Sequence, residues 1–199
     1  LFGMPGLNIQ YLLQRENGNG VMNILECEKL FQHPLLYATF LLWLLDTLYQ
    51  NMPEVGDLDR PKIVFFFDEA HLLFDHAPKA LLNKVEQIVK LIRSKGVGVF
   101  FCTQSPSDIP DSVLAQLSNR IQHALRAYTP SEMKNVKLAA QAFRQNPELN
   151  TEEVITMMKT GHALVSVLDE DGAPTIVEET KILPPSSSMK ASEVTAIFR

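Results

Sequence analysis

Two adjacent carboxylates, Asp68 and Glu69, directly follow a run of five apolar residues, Ile63–Phe67. A second apolar run, VGVFFC, ends in the same way at Thr103 and Gln104. An acid pair at a strand end can bind Mg²⁺ and activate water, and a nearby amide can contact a phosphate or that water. Either pair alone is also compatible with a simple strand-to-loop transition. Both pairs together favour a magnesium-nucleotide site.

The elements that would position these residues follow an α/β pattern. Neither apolar run alternates with polar residues, so we expect both faces of each strand to be covered, as in central parallel strands between helix layers. The intervening segment, APKALLNKVEQIVKLIRSKG, has apolar residues at helical spacing. Ligands collect at the carboxyl ends of parallel strands. We therefore expect Gln104 to lie close to Asp68 and Glu69.

Other segments complete the expected architecture. A polar turn, RENGNG, precedes a predicted strand at Val21–Leu25. The apolar stretch from Pro34 to Tyr49 predicts a helix, and it is too short to span a bilayer before Asp46 interrupts it. RIQHALRAY is a candidate third strand, and two helices are expected after the caps at Thr129 and Asn150. Two further strands, joined at DEDG, are expected before a Pro/Ser-rich tail.

Length and composition predict one domain. A chain of 199 residues with 46% hydrophobic residues can bury one core. We assign residues 1–185 to that domain and expect residues 186–199 to be a poorly ordered tail. The two cysteines, Cys27 and Cys102, lie in apolar stretches far apart in sequence, which indicates neither a disulfide framework nor a zinc site and fits a reducing cytoplasm. We expect Cys102 to be a buried core residue.

The charge distribution is uneven along the chain. The formal net charge is −5, which argues against wrapping nucleic acid by bulk electrostatics. Residues 79–137 nevertheless carry nine Lys/Arg and four Asp/Glu, a local charge of +5. This middle segment could face phosphates, although solvated lysines on amphipathic helices give the same pattern.

Several segments together resemble one family. VFFFDEAHLLF, LIRSKGVGVFFCTQSPSDIP and LSNRIQHALRAYTP are similar to the carboxyl-terminal part of HerA/FtsK-type RecA-like motor ATPases, most closely the HerA-like YjgR group. LFGMPGLNIQYLL and ALVSVLDEDGAPTIVEETKILPP resemble the same group. The resemblance implies a partial RecA-like P-loop NTPase core, with a mostly parallel sheet between helices and a C-terminal two-stranded addition.

The resemblance also implies roles for individual residues. Asp68 would hold the Mg²⁺ of ATP as the Walker B aspartate, with Thr103 beside the nucleotide. Glu69 would orient the attacking water, and Gln104 would act as the sensor. Motors of this type form rings, usually hexamers, in which a neighbouring subunit supplies an arginine. The candidates for this arginine are Arg93, Arg120 and Arg126, of which we favour Arg120.

One expected motif is missing from these residues. No G-x-x-x-x-G-K-[ST] occurs among them, and in the family this phosphate-binding loop lies towards the amino terminus. We therefore expect the chain to be a portion of a longer ATPase and to be inactive alone. In the full-length protein the resemblance implies a helicase or translocase associated with DNA, and analogy alone suggests a nuclease partner.

Three alternatives remain. The chain could be a non-catalytic RecA-like assembly module, although such a module has no reason to keep both Glu69 and Gln104. A dehydrogenase is disfavoured because no G-x-G-x-x-G is present. The letters DEAH also mark a separate helicase superfamily. Those enzymes carry Ser/Thr-Ala-Thr on the next strand, where this chain has CTQS, so we expect His71 to be a hydrogen-bonded residue behind the site.

Overall fold

The computed structural model describes residues 8–56, 58–75 and 77–186. The chain divides into two compact units, residues 1–117 and 118–199. The predicted tail lies almost wholly outside the described residues, and the predicted domain boundaries stay a prediction. Among the helices that the structure describes, none has the length and apolar character required to cross a membrane.

The first unit begins with a short helix and a hairpin. Helix α1 (Ile9–Leu12) precedes strands β1 (Arg15–Glu16) and β2 (Asn19–Gly20), which pair antiparallel. The connecting residues, Asn17 and Gly18, have φ of 51° and 81°, as a two-residue type I′ turn requires.

The strand predicted at Val21–Leu25 is wrong. These residues form no regular structure, and Met22 and Ile24 are each 87% exposed. An apolar run becomes a strand only where a neighbour accepts its backbone hydrogen bonds, and no described strand pairs with this one.

Helices supply most of the first core. After α2 (Glu28–Phe31), the long helix α3 (Pro34–Asn51) begins with proline at a position where no amide donor is needed. This helix confirms the prediction from the apolar stretch. Its inward face buries six side chains: Tyr37, Ala38, Leu41, Leu44, Leu45 and Leu48.

Two parallel strands lie against this core. Strand β3 (Ile63–Phe67) is followed by α4 (His71–Phe74), α5 (Lys79–Leu91), a 3₁₀ turn and β4 (Val97–Phe101). The two strands pair in register from Ile63↔Val97 to Phe67↔Phe101. The predicted strand–helix–strand unit is confirmed. Gly96 enters β4 at φ 71°, a conformation that favours glycine.

Only one face of this sheet is covered in the described structure. Phe65, Phe67, Val99 and Phe101 pack against the helical core. On the other face Phe66 is 68% exposed and stacks on Phe100 at a centroid distance of 4.7 Å. The expectation that both faces are covered is therefore wrong for the described residues. The reason is that their helices form a layer on one side alone.

A tight loop ends the first unit. It contains a 3₁₀ turn, Pro106–Asp108, and helix α6 (Asp111–Leu114). Ile109 and Val113 are 6% and 0% exposed, so they anchor the loop to the core.

The second unit is an antiparallel sheet with two helices. Strands β5 (Arg120–Gln122), β6 (His162–Ser166) and β7 (Glu178–Lys181) form it in sequence order. The predicted capped helices are confirmed as α7 (Pro130–Gln141) and α8 (Thr151–Met157). These elements enclose a second core of buried side chains: Val136, Ala139, Ala140, Phe143, Ile155, Met158, Leu164 and Val177.

The sheet topology corrects two predictions. The fold is α/β, but β3 and β4 are the only parallel pair in the described residues. Strand β5 pairs antiparallel with β6 through Arg120↔Ser166 to Gln122↔Leu164. The expected C-terminal addition of two strands is therefore a sheet of three.

Candidate functional site

The loops after β3 and β4 run side by side. Past the end of the strands, the amide of Cys102 donates to the carbonyl of Phe67 at 2.9 Å. The amide of Ala70 then donates to the carbonyl of Cys102 at 2.8 Å. These two bonds join the chain on both sides of the acid pair to Cys102, so they fix the pair beside the segment that carries Gln104.

The side chains of Gln104 and Glu69 meet at this edge. Nε2 of Gln104 donates to Oε1 and Oε2 of Glu69 at 3.1 and 3.2 Å. The Glu69 side chain stays 42% exposed. The expectation that Gln104 lies close to the acid pair is confirmed. An exposed carboxylate held by an amide can accept a proton from a water molecule while its orientation is fixed.

The backbone of Glu69 adopts an uncommon conformation. Its φ is 48°, in the left-handed region that costs a non-glycine residue about 1–2 kcal/mol. The turn is held at both sides, because the Glu69 amide donates to Oδ1 of Asp68 at 3.0 Å and its carbonyl accepts from the Leu72 amide at 2.9 Å. Backbone strain of this kind is concentrated at functional sites.

His71 lies on the other side of the same carboxylate. Its Nδ1 is 3.3 Å from Oε2 of Glu69, and its side chain is 30% exposed. This is a distance for an ion pair, and the prediction that His71 is a hydrogen-bonded residue behind the site stays a prediction. Glu69 thus lies between an amide from one loop and an imidazole from the first turn of α4.

The side chain of Thr103 forms a hydrogen bond within its own loop. Its hydroxyl donates to Oδ2 of Asp108 at 2.5 Å. The same oxygen accepts from the Ser105 amide at 3.2 Å. The predicted contact of Thr103 with a nucleotide stays a prediction. Sequence reasoning missed Asp108, although the Ser105-x-x-Asp108 spacing is typical of a capping interaction and could have indicated it.

The donor set is compatible with Mg²⁺. Asp68 is exposed at the end of β3, and carboxylate oxygens are the ligands that this ion prefers. No group of three or more His, Cys, Asp or Glu among the described residues is arranged to hold a metal. Mg²⁺ bound with a nucleotide needs no such group, because phosphates and water supply most of its ligands.

Cys102 corrects another prediction. Its side chain was expected in the core, but it is exposed, because β4 ends at Phe101 and the chain leaves the sheet there. Partial burial and the charge of Asp68 raise the pKa of the Cys102 thiol. A raised pKa keeps the thiol protonated, so Cys102 is not an activated nucleophile.

The three candidate arginines have different surroundings. Arg120 begins β5 in the second unit, where its backbone is paired with Ser166. The guanidinium of Arg126 donates to the carbonyls of Thr156 and Met158 at the end of α8. The side chain of Arg93 lies outside the part of the chain that the structure describes. The role of Arg120 as the arginine supplied to a neighbouring subunit stays a prediction.

Comparison with known proteins identifies the family. Residues 1–197 match the model of the helicase HerA-like C-terminal family, and the chain belongs to that family. A protein described as a probable helicase from Methanocaldococcus jannaschii is 27% identical over 137 residues. That match covers 63% of this chain and 25% of the relative, so this chain spans about a quarter of the relative's length.

Two solved structures show a more distant likeness. B204, the DNA-packaging ATPase from Sulfolobus turreted icosahedral virus, matches with a TM-score of 0.43 and 18% identity, over 61% of this chain and 52% of B204. The genome packaging NTPase B204 from Sulfolobus turreted icosahedral virus 2, in complex with AMPPCP, matches with a TM-score of 0.40 and 17% identity. That match covers 61% of this chain and 53% of the viral protein.

Proposed function

We propose that this chain supplies the Walker B and sensor half of an ATP-hydrolysing motor of the HerA/FtsK type. The observation that carries the proposal is the contact between Gln104 and Glu69 at the ends of two parallel strands. Membership of the helicase HerA-like C-terminal family supports it independently. In the full-length protein the core is of the RecA-like P-loop class.

Each residue at the strand ends has a distinct role in this proposal. Asp68 binds the Mg²⁺ of the nucleotide, directly or through water, and Thr103 lies beside that nucleotide. The ion supplies charge neutralisation at the phosphates. Glu69 accepts a hydrogen bond from the attacking water and polarises it. Gln104 holds the Glu69 carboxylate in its orientation and contacts the γ-phosphate or the water.

The phosphate-binding loop comes from outside these 199 residues in this proposal. A glycine-rich loop with lysine holds the β- and γ-phosphates in enzymes of this class, and the chain has no such motif. Without it the acid pair has no positioned substrate, and positioning contributes much of the rate. We therefore propose that the chain alone binds ATP weakly and does not turn it over.

Assembly and cargo extend the proposal to the whole protein. A homo-oligomeric ring, a hexamer by analogy, would place Arg120 of one subunit near the nucleotide of the next. Such an arginine accelerates phosphoryl transfer by about 10³ to 10⁵ where its effect has been isolated. The curated relative is described as a probable helicase. We propose DNA as the cargo, as the resemblance to HerA/FtsK-type motors implies, with cations within residues 79–137 as candidate contacts.

The substitution Glu69→Gln in the full-length protein tests the catalytic role. It keeps the shape of the side chain and a partner for Gln104, but it removes the group that polarises water. We expect ATP turnover to fall at least about a hundredfold, while nucleotide affinity stays within about threefold. Turnover is measured by phosphate release, and affinity by titration with a non-hydrolysable ATP analogue.

Glu16→Gln is the matched control, because Glu16 is an exposed residue of the β1–β2 hairpin. Unchanged turnover in Glu69→Gln would refute the assigned role. A wild-type protein that binds ATP without hydrolysing it would instead favour the non-catalytic assembly module. The same assay with and without DNA at low salt tests the cargo, because phosphate contacts weaken as salt rises.

A further inference from the structure

Asp108 closes the loop that carries Gln104. One oxygen of its carboxylate, Oδ2, accepts a hydrogen bond from the Thr103 hydroxyl and another from the Ser105 amide. These two donors belong to the residues on either side of Gln104. The backbone between them is therefore tied to one point, and the side chain of Gln104 projects from the tied segment towards Glu69.

Asp108 itself is fixed by the fold. It ends the 3₁₀ turn Pro106–Asp108, and its amide donates back to the carbonyl of Ser105 at 3.2 Å. The next residue, Ile109, is 6% exposed and belongs to the core of the first unit. A partly buried carboxylate on such an anchored turn can act as a rigid support for the exposed loop before it.

We propose that Asp108 is a positioning residue: it holds the Thr103–Ser105 segment so that the Gln104 amide is presented to the Glu69 carboxylate. It acts through Gln104 and touches neither the nucleotide nor the attacking water. The catalytic consequence rests on the proposed function, whereas the effect on the loop does not. A loose Gln104 would leave Glu69 in several orientations, and small displacements of a catalytic group can lower the rate by up to about 10²-fold.

Two substitutions at Asp108 separate the effect of its charge from the effect of its hydrogen bonds. Both hydrogen bonds end on the same oxygen. Asparagine offers one carbonyl oxygen of the same shape without the charge, so Asp108→Asn can keep both bonds. Asp108→Ala removes both bonds. Asp111, an exposed acid three residues further along the same loop, provides Asp111→Ala as the matched control for loss of a carboxylate.

The test measures hydrogen exchange and ATP turnover on the full-length protein. Hydrogen exchange followed by mass spectrometry on peptides that contain Ser105 reports the loop directly. We expect Asp108→Ala to speed exchange of the Ser105 amide at least about tenfold, while Asp108→Asn and Asp111→Ala stay close to the wild type. We expect kcat to fall about tenfold or more in Asp108→Ala alone, with KM within about threefold.

Each other outcome overturns a stated part of the proposal. Unchanged exchange in Asp108→Ala would show that Asp108 does not hold the loop. Faster exchange with normal kcat would show that the loop does not position Gln104 for turnover. An Asp108→Asn variant as impaired as Asp108→Ala would mean that the charge, and not the hydrogen bonding, matters. If the wild type does not hydrolyse ATP, the proposed function fails and exchange alone decides the role of Asp108.

Discussion

The two compact units use polar side chains in different ways. In the first unit, the polar groups at the ends of β3 and β4 contact one another and remain open to solvent, as Glu69 and Gln104 do. In the second unit, comparable groups bind the backbone. Asn119 accepts from the amide of Leu168 at 2.9 Å, Asn146 donates to the carbonyl of Val177 at 3.0 Å, and Arg126 donates to Met158 at 2.8 Å.

This difference distinguishes side chains that support the fold from side chains that are available to a ligand. A side chain whose donors or acceptors are bound to the backbone satisfies groups that folding would otherwise leave unpaired, and its loss mainly lowers stability. A side chain bound only to another exposed side chain contributes little to stability. It is available to a ligand instead. Substitutions of Glu69 and Gln104 should therefore change turnover, and those of Asn119, Asn146 and Arg126 should change stability.

The largest effect on turnover is expected from a substitution at Gln104, and it tests the comparison most directly. Gln104→Ala removes the amide that holds the Glu69 carboxylate. We expect ATP turnover of the full-length protein to fall about a hundredfold, because loss of one aligned donor has that cost in other active sites. The melting temperature should change by less than about 2 °C, since both groups are exposed. A large loss of stability with normal turnover would break the comparison.

An intermediate effect is expected at Arg126, on stability. Arg126→Ala leaves the carbonyls of Thr156 and Met158 without this charged donor, which should cost the second unit about 1–3 kcal/mol. Hydrogen exchange of α8 and β6 in the full-length protein measures this cost. Lys137→Ala, an exposed cation on α7, controls for the lost charge. Loss of turnover with normal protection would instead favour Arg126 over Arg120 as the arginine supplied to a neighbouring subunit.

The smallest effect is expected at Glu132 and depends on pH. Hydrogen bonds from the backbone amides of Tyr128 and Thr129, and from the Thr129 hydroxyl, hold the pKa of Glu132 below its ordinary value. A lowered folded-state pKa stabilises the fold above the ordinary glutamate pKa, and this contribution is lost as the pH falls through the folded-state value.

Comparison of the wild type with Glu132→Gln tests the direction of this pH dependence of stability. The wild type should be the more stable of the two at pH 7, and the difference should shrink as the pH falls below the ordinary glutamate pKa and through the lowered folded-state pKa. Urea unfolding at each pH measures this difference in stability, and hydrogen exchange of α7 is the probe of unfolding. A difference that grows as the pH falls would contradict the direction of the pKa shift.

Local signals in the sequence predicted much of the first unit and the caps of the second. The apolar runs that end at Glu69 and Gln104 indicated two strands and their shared edge, because parallel strands present their carboxyl ends together. The long apolar stretch indicated α3, helical spacing indicated α5, and the Thr129-x-x-Glu132 pattern indicated the capping box. These features depend on residues close together in the chain or on a rule of topology.

The features that sequence reasoning missed depend on partners distant in the chain. Pairing of β5 with β6 joins Arg120 to Ser166, and no local pattern specifies whether such a pair is parallel. Val21–Leu25 has the composition of a strand but no described neighbour. The exposed face at Phe66 and Phe100 likewise depends on which layers surround the sheet, and the exposure of Cys102 depends on where β4 ends. Two-sided burial cannot be read from an apolar run alone.

With the role proposed for Glu69, its left-handed backbone would set the stability of the fold against turnover at this position. Glycine adopts φ near 48° without a steric cost, so it would suit the turn better than glutamate does. Selection for thermal robustness alone would therefore drive this position away from the acid, and selection for turnover would keep it. A trade of stability for activity is the general cost of strained active sites, and the proposed role of Glu69 would make this turn an example.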